Sequence, residues 1–254
     1  LDAVAGPDLG APYAAPPLSK SFSQAIQEPP ARQKIAFSTM SFTGEPVHPD
    51  CRDAVLKAAK LLEDLGHHVE EAAPSIELMA MMQAWVRIIA CGTALTIRQK
   101  VDARGRPLDP DEIEGITRGA LALEATLSGA DYLEAVTRIH RFSRELAPFF
   151  ERYDLLLTPT LAEPPAKIGR FAPDDEDIVE HRLGSSGILP YSPFCPVFNA
   201  SGQPAMSVPL HWNADGLPIG VHIAARFGAD DGLIALGAEL EAVAPWLDRR
   251  PPNA

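Results

Sequence analysis

The spacing of apolar and polar positions changes several times along the chain, and each change predicts a different element. Lys34 to Ser38 is a short β-rich run that reads as a strand. From Pro49 to Leu65, apolar residues fall at Cys51, Val55, Ala58, Leu62 and Leu65, at spacings of three and four that share one helical face. Gly66 stops that helix, and His68 to Ala72 reads as a second strand. Residues 34–72 therefore make a βαβ unit, whose right-handed crossover implies two parallel strands.

A long helical stretch runs from about Ser75 to Lys100, followed by a polar turn from Asp102 to Asp109 that contains Gly105 and Pro107. Two more helices are predicted near Asp111 to Leu127 and Asp131 to Phe150, and Asp109, Asp111 and Glu112 suit the positive end of a helix dipole. The run DLLLT, Asp154 to Thr158, is short, apolar and ended by Pro159, as in a strand buried on both faces. Residues 159–197 are rich in Gly, Pro, Ser and acidic side chains. That stretch is too long for a plain connection and is expected to be a functional loop or cleft wall. A backbone-shaping loop at Asn199, Gly202, Gln203 and Pro204 then leads into strands at Ala205 to Leu210 and Leu217 to Ala224, joined by a turn at Asp215-Gly216. A last helix spans Asp230 to Ala244. The prolines at 12, 16, 17, 29 and 30 predict an extended surface connection over residues 1–33, which leaves 34–254 as the α/β core.

Composition narrows the partners. A 254-residue chain that is 46% hydrophobic can bury a large core. Its 34 acidic and 22 basic residues give a net charge of -12, which repels phosphate backbones and anionic surfaces. Neither nucleic acid nor membrane is expected as a partner. No uninterrupted apolar run reaches the roughly 18 residues that would cross a bilayer. The three cysteines, Cys51, Cys91 and Cys195, are odd in number and far apart, which fits a reducing, cytoplasmic setting.

Two stretches carry more specific information. Leu1 to Pro7, LDAVAGP, reads as the last turn of a helix ended by Gly6 and Pro7, so the chain is expected to be a segment of a longer protein. Phe198 to Ile223, FNASGQPAMSVPLHWNADGLPIGVHI, holds the pattern N-x-x-G-x-P-A-x-S-x-P followed by D-G-L-P-I-G-V. That pattern resembles the C-terminal core of the amidase signature hydrolases, and the likeness runs from Leu1 to Trp246. The resemblance implies an α/β fold: the C-terminal part of a single amidase domain, a mixed sheet flanked by helices. It also implies cleavage of carbon–nitrogen bonds by a serine nucleophile, a second serine and a lysine, with no metal and no organic cofactor. None of the three catalytic groups is recognisable here. The catalytic half is therefore expected outside this chain, which alone is expected to be inactive. The partner is expected to be a small linear or cyclic amide, bound together with that missing half; a homo-oligomer is left open.

Candidate chemistry within the chain is sparse. Gly184-Ser185-Ser186-Gly187 has the look of a nucleophile loop, but Ile188, Leu189, Pro190, Tyr191 and Pro193 follow it where small residues should, and no lysine stands in a matching context. A flexible loop is the expectation. The seven histidines show neither metal-ligand spacing nor a G-x-S-x-G elbow. Of the adjacent pair His67 and His68, one is expected to be packed and one solvated. Arg138, Arg141 and Arg144 with His140 make a basic helix face that Glu134 and Glu145 can offset.

Cys91 lies in VRIIACGTAL before Gly92, a residue that costs about 1 kcal/mol inside a helix and often marks a close approach. A small buried thiol explains it. The motif W-x-x-I-I-A-C-G-T-A-L also resembles amidases related to 6-aminohexanoate cyclic dimer hydrolase, and that likeness implies a cysteine in contact with substrate. Asn199 and Gln203 either satisfy backbone groups around the turn or border the cleft, and Tyr191 and Phe194, like Phe198, either wall an amide pocket or pack the core. Cys91, Tyr191, Phe194, Asn199 and Gln203 are the expected substrate contacts. Two other readings stay open: a noncatalytic scaffold that binds a partner through an uncovered sheet edge, and an aminoacyl-tRNA amidotransferase A-type subunit, which the acidic balance disfavours.

Overall fold

The computed structural model describes residues 1–249; residues 250–254, the end of the expected core, lie outside the described residues. Five strands, β1 (Lys34–Phe37), β2 (His68–Glu71), β3 (Leu155–Pro159), β4 (Ala205–Trp212) and β5 (Pro218–Ala225), form one mixed sheet in the order β2-β1-β3-β5-β4. The helix α2 (Pro49–Asp64) crosses from β1 to β2, and these strands pair in parallel from Lys34 opposite His68 to Phe37 opposite Glu71. The βαβ unit is therefore as its periodicity predicts. β3 pairs parallel to β1 and antiparallel to β5, and every residue of β3 is buried. DLLLT is apolar throughout because it is the central strand, covered on both faces.

The β4–β5 hairpin turns at Asn213 to Gly216 and runs two residues further along β4 than expected, to Trp212. Its register shifts between Val208 and His211. Pro209 lies within that shift and has no N–H to donate, which accounts for the bulge.

Alternation along the strands sends side chains to two layers. Ile35, Leu155, Leu157, Val221 and Ile223 pack under α2 and under α9 (Asp230–Val243). Ala36, Leu156 and Ala224 face the other way, toward α3 (Leu78–Arg104) and α5 (Gly129–Arg152), where Met81, Phe142 and Leu146 are buried. α4 (Gly115–Glu124) packs on α3 through Ala120, Val86 and Ala90.

α3 continues past the expected Lys100 to Arg104, where Gly105 ends it at φ 68°. An 18-residue window of α3 has a mean hydropathy of 1.5, enough by length and composition to cross a membrane. The window contains Gln83 and Arg87, and its apolar positions pack against α4 and α5, so α3 is a core helix here.

Three expectations need correction. The connection over residues 1–33 contains a one-turn helix, α1 (Phe22–Ala25), whose Ser21 and Gln24 form a reciprocal capping box. Residues 159–197 are not a continuous loop. They contain α6 (Ile178–Leu183), α7 (Ile188–Tyr191) and the start of α8 (Cys195–Ser201). Such short helices show too few turns for periodicity to register. The loop reading also fails for Asn199, which lies in α8; the turn begins at Gly202, with φ 82°.

Candidate functional site

Two recesses flank the segment that leaves the carboxyl end of β3, the end at which open α/β sheets bind ligands. The first, about 280 Å³, is lined by Cys51, Thr160, Glu163, Ser207, Pro209 and Gly220. Its chemistry is largely spent. The hydroxyls of Thr160 and Ser207 lie 2.6 Å apart and satisfy each other. Burial pushes the Cys51 thiol up to about 12, aided by the charges of Asp50 and Glu163, so it stays protonated.

The second recess, about 230 Å³, is enclosed by four helices. α3 supplies Met82, Trp85, Val86 and Ile89, a stripe at helical spacing; α6 supplies Arg182, α7 Ile188 and Leu189, and α8 Cys195, Pro196 and Asn199, with Ser192 between the last two helices. Apolar walls with a few convergent polar groups are the usual make-up of a small-molecule site.

The polar groups of this recess differ in how well they are satisfied. The Cys195 thiol reaches the Thr160 carbonyl at 3.6 Å, and burial raises its pKa, so it is a weak donor and no nucleophile. Arg182 is the opposite case. Its Nε is cut off from solvent and has no hydrogen-bond partner among the described residues. Leaving such a donor unpaired costs on the order of 1–3 kcal/mol, more when the group is charged. The neighbouring His181 faces elsewhere, with Nδ1 4.0 Å from Asp175.

The structure disperses the residues expected to contact substrate. Asn199 lines the second recess, on the exposed last turn of α8. Phe194 is fully buried and meets Phe42 edge-on at 5.3 Å. Tyr191 accepts a hydrogen bond from the Ala166 N–H at 3.0 Å and packs beside Phe171, with the Arg170 guanidinium 5.1 Å from its ring centroid. It pins the segment after β3. Gln203 is half-buried and accepts from the Ser201 hydroxyl through Oε1.

Cys91 is half-buried on α3, and burial followed by the charge of Glu124 raises its pKa. It stands two residues beyond Ile89, about 200° around the helix at ~100° per residue, and so on the side of α3 away from the recess. Gly92 is exposed, and an added Cβ would meet nothing within 4 Å, so the close approach expected there is absent among the described residues. The glycines that do mark close approach are Gly115 and Gly119, where a Cβ would come within 2.1 Å of the Asp174 carbonyl oxygen and 2.0 Å of that of Glu176. They let the backbone of residues 173–176 lie directly on α4, where Arg118 Nε donates to Glu176 at 2.6 Å.

The GSSG segment is a tight turn, not a flexible loop. Gly187 N–H donates to the Gly184 carbonyl at 2.9 Å, and a Cβ at Gly187 would lie 2.7 Å from the His181 carbonyl oxygen. Ser186 shares a recess with His181 and Asp175, yet no hydrogen bond joins its hydroxyl to the ring among the described residues, so the serine has no base. The adjacent histidines divide as expected: His68 is exposed, whereas His67 is buried. His67 Nδ1 accepts from the Gln33 N–H at 3.1 Å, which leaves Nε2 to donate to Glu239 at 3.0 Å. That pair ties the start of the sheet to α9.

Sequence reasoning missed Arg182, Ser192 and Cys195. The stripe on α3 was legible as a helix face, but nothing in HRLGSSG marks Arg182 as inward-facing.

The chain belongs to the amidase family, whose profile matches residues 1–234. It is 31% identical to 6-aminohexanoate-cyclic-dimer hydrolase of Paenarthrobacter ureafaciens over 256 residues, covering 99% of this chain and 52% of that protein. It is 35% identical to the putative amidase AmiC of Mycobacterium tuberculosis (strain ATCC 25618 / H37Rv) over 222 residues, covering 87% of this chain and 46% of that protein. The solved structure of 6-aminohexanoate cyclic dimer hydrolase complexed with substrate superposes with a TM-score of 0.89 at 29% identity, covering 99% of this chain and 53% of that one. The fold is that of the amidase signature enzymes, and the chain spans about half the length of the relatives it matches.

Proposed function

We propose that this chain builds the substrate-facing wall of a hydrolase that cleaves the carbon–nitrogen bond of small linear or cyclic amides. The observation that carries the reading is the recess between α3, α6, α7 and α8: largely apolar, about 230 Å³, and joined to the segment after β3 through the Cys195 thiol on the Thr160 carbonyl. Its volume lies below the roughly 300–1,000 Å³ of drug-sized sites, which suits a short aliphatic chain. The named substrate class of the hydrolase it resembles, a cyclic dimer of an aliphatic amino acid, agrees with apolar walls and few polar anchors.

In this reading the attacking serine, the second serine and the activating lysine come from outside the chain. Ser185 and Ser186 have no base beside them, and the two cysteines nearest β3, Cys51 and Cys195, are held protonated by burial. The chain supplies binding and orientation, which raise the effective concentration of the amide at the nucleophile.

The test compares the chain alone with a protein carrying the remaining half of its relatives' length, on aliphatic amides of four to eight carbons. Hydrolysis is expected only from the longer protein. Turnover by the chain alone, abolished by Ser185→Ala or Ser186→Ala, would place the nucleophile in the GSSG turn instead.

A second reading rests on β4, which among the described residues pairs only with β5 and exposes Ala205 and Ser207 at the sheet edge. An open edge recruits another strand. A chain that stays monomeric in light scattering at high concentration would count against that interaction role.

A further inference from the structure

We infer that the groove between α3 and α5 is a binding site for a phosphoryl group, free or carried on a small phosphate monoester. The site is independent of the amidase reading and lies apart from the substrate recess.

Two matched helical rows build the groove. On α3, Ala80, Gln83, Ala84 and Arg87 fall at i, i+3, i+4 and i+7. On α5, Glu134, Thr137, Arg138 and Arg141 repeat that spacing. Ala84 and Ala135 are buried where the rows meet, so small side chains make a floor and longer ones enclose about 280 Å³ above it. At ~100° per residue, the α3 row lies on the side of that helix opposite Met82, Trp85, Val86 and Ile89 of the substrate recess.

The charge on this groove runs against the rest of the chain. Three arginines and one carboxylate line it, in a protein of net charge -12. Arginines elsewhere find partners: Arg98, Arg118 and Arg170 each meet a glutamate, at 2.9, 2.6 and 2.7 Å. Arg87, Arg138 and Arg141 make no ion pair and no side-chain hydrogen bond among the described residues. Glu134 and Glu145, which the sequence allows to offset the basic face of α5, pair with none of its arginines among those residues. Asp131 is committed to the helix cap. Hydrogen bonds from Ser128 hold its carboxyl below the usual range, with the charge of Arg87 a lesser cause, and its Oδ2 accepts from the Ser128 N–H at 2.7 Å and hydroxyl at 2.6 Å.

The lining thus holds two more positive than negative charges. A phosphate monoester, at about −1.5 to −2 near pH 7, matches that balance on one compact group, whereas a single carboxylate neutralises only half of it. Guanidiniums from two facing helices can offer planar forks to separate phosphate oxygens. Arg87 and Arg138 are half-buried, and partial removal from water strengthens their attraction for an anion. Among the described residues the lining has no aromatic ring and no long aliphatic side chain, so the group recognised is the phosphoryl and not what carries it. Other recesses carry less: beside Cys51 the hydroxyls satisfy each other, and beside His181 the serine has no base.

The experiment titrates this chain by calorimetry with inorganic phosphate, propyl phosphate and succinate at low ionic strength. Both phosphates are expected to saturate one site and to bind at least about tenfold more tightly than succinate, which spreads its two charges over two groups. Arg87→Gln and Arg138→Gln should each weaken both phosphates at least about tenfold, with Arg138→Lys recovering part of the loss. Thermal melts check the fold, and Arg141→Gln, at an exposed position, carries the same test where a half-buried variant melts early. Glu134→Gln should tighten both phosphates about two- to fivefold. Ala80→Leu, which fills the groove without changing its charge, should weaken both. Arg144→Gln removes the same charge from α5 outside the groove and should leave both within about twofold.

Equal weakening by Arg144→Gln and Arg138→Gln would overturn the site in favour of a diffuse positive field. Succinate as tight as the phosphates would overturn the phosphoryl assignment, and no saturable binding of either phosphate would overturn the site itself. Either order of the two phosphates supports it: tighter propyl phosphate assigns a monoester, and tighter inorganic phosphate assigns the free ion.

Discussion

Beneath α2 and α9 the sheet is sealed by Ile35, Leu157, Val221 and Leu236, which expose no surface, whereas across the sheet the packing thins from Phe142 and Leu146 toward a recess beside Arg182. The two sides are built from different kinds of element. α2 and α9 are long enough to lay a continuous apolar stripe on the strands, while α6, α7 and α8 have six, four and seven residues. Helices of one or two turns cannot interdigitate over a long length as ridges in grooves do. Where they meet the first half of α3, a cavity remains, beside a donor that is unpaired among the described residues. Binding sites form more readily where packing is assembled from short pieces, because a close-packed stripe leaves no volume for a ligand.

The sharpest way to test that contrast is to ask whether the short-helix region still has a true core beneath the recess. Phe194 at the start of α8 is fully buried against Phe42, so Phe194→Ala is expected to cost about 3–5 kcal/mol in denaturant unfolding. A loss below about 1 kcal/mol would show that the whole of α7–α8 is loosely held, not merely its outer rim.

The next effect comes from His222, which lies in β5 facing the same layer, against Phe198. Burial depresses its pKa from 6.5 to about 4, so the folded state holds the ring neutral where the unfolded chain would protonate it. The unfolded state therefore binds more protons between those values, and stability should fall as pH drops from about 6.5 through 4, then level off. At 1.36 kcal/mol per pKa unit the loss approaches about 3 kcal/mol. His222→Gln should flatten that slope in pH-dependent unfolding; an unchanged slope would assign it to other groups.

The smallest effects separate two glycines of the α3–α4 pair. Gly119→Ala forces a methyl against the Glu176 backbone and should cost about 1–3 kcal/mol, releasing residues 173–176 to faster hydrogen exchange. Gly92→Ala meets open space on a helix and should stabilise this chain by about 0.5–1 kcal/mol. A loss at Gly92 would mean that another surface covers α3 there.

Much of the architecture was set locally and could be read from the chain. Cys51, Val55, Ala58 and Leu62 define α2 by period, DLLLT defines a doubly buried strand by uniform apolarity, and Asp215-Gly216 defines a hairpin turn; each signal is complete within its own segment. The βαβ pairing followed from these because chain chirality leaves one crossover. The family, too, was legible, since the loop-to-hairpin stretch from Phe198 to Ile223 is a local pattern. Tertiary structure decided the rest. Helices of four to seven residues carry too few turns to show a period, so α6, α7 and α8 appeared as loop, and Gly92 drew attention that belonged to Gly115 and Gly119. Whether Arg182 faces water or a cavity depends on α3, α7 and α8, which lie about a hundred residues before it and just after it. The sequence determined which segments form strands and helices through near-neighbour spacing. The recess arises only from contacts between segments, and no window of sequence records the space left between them.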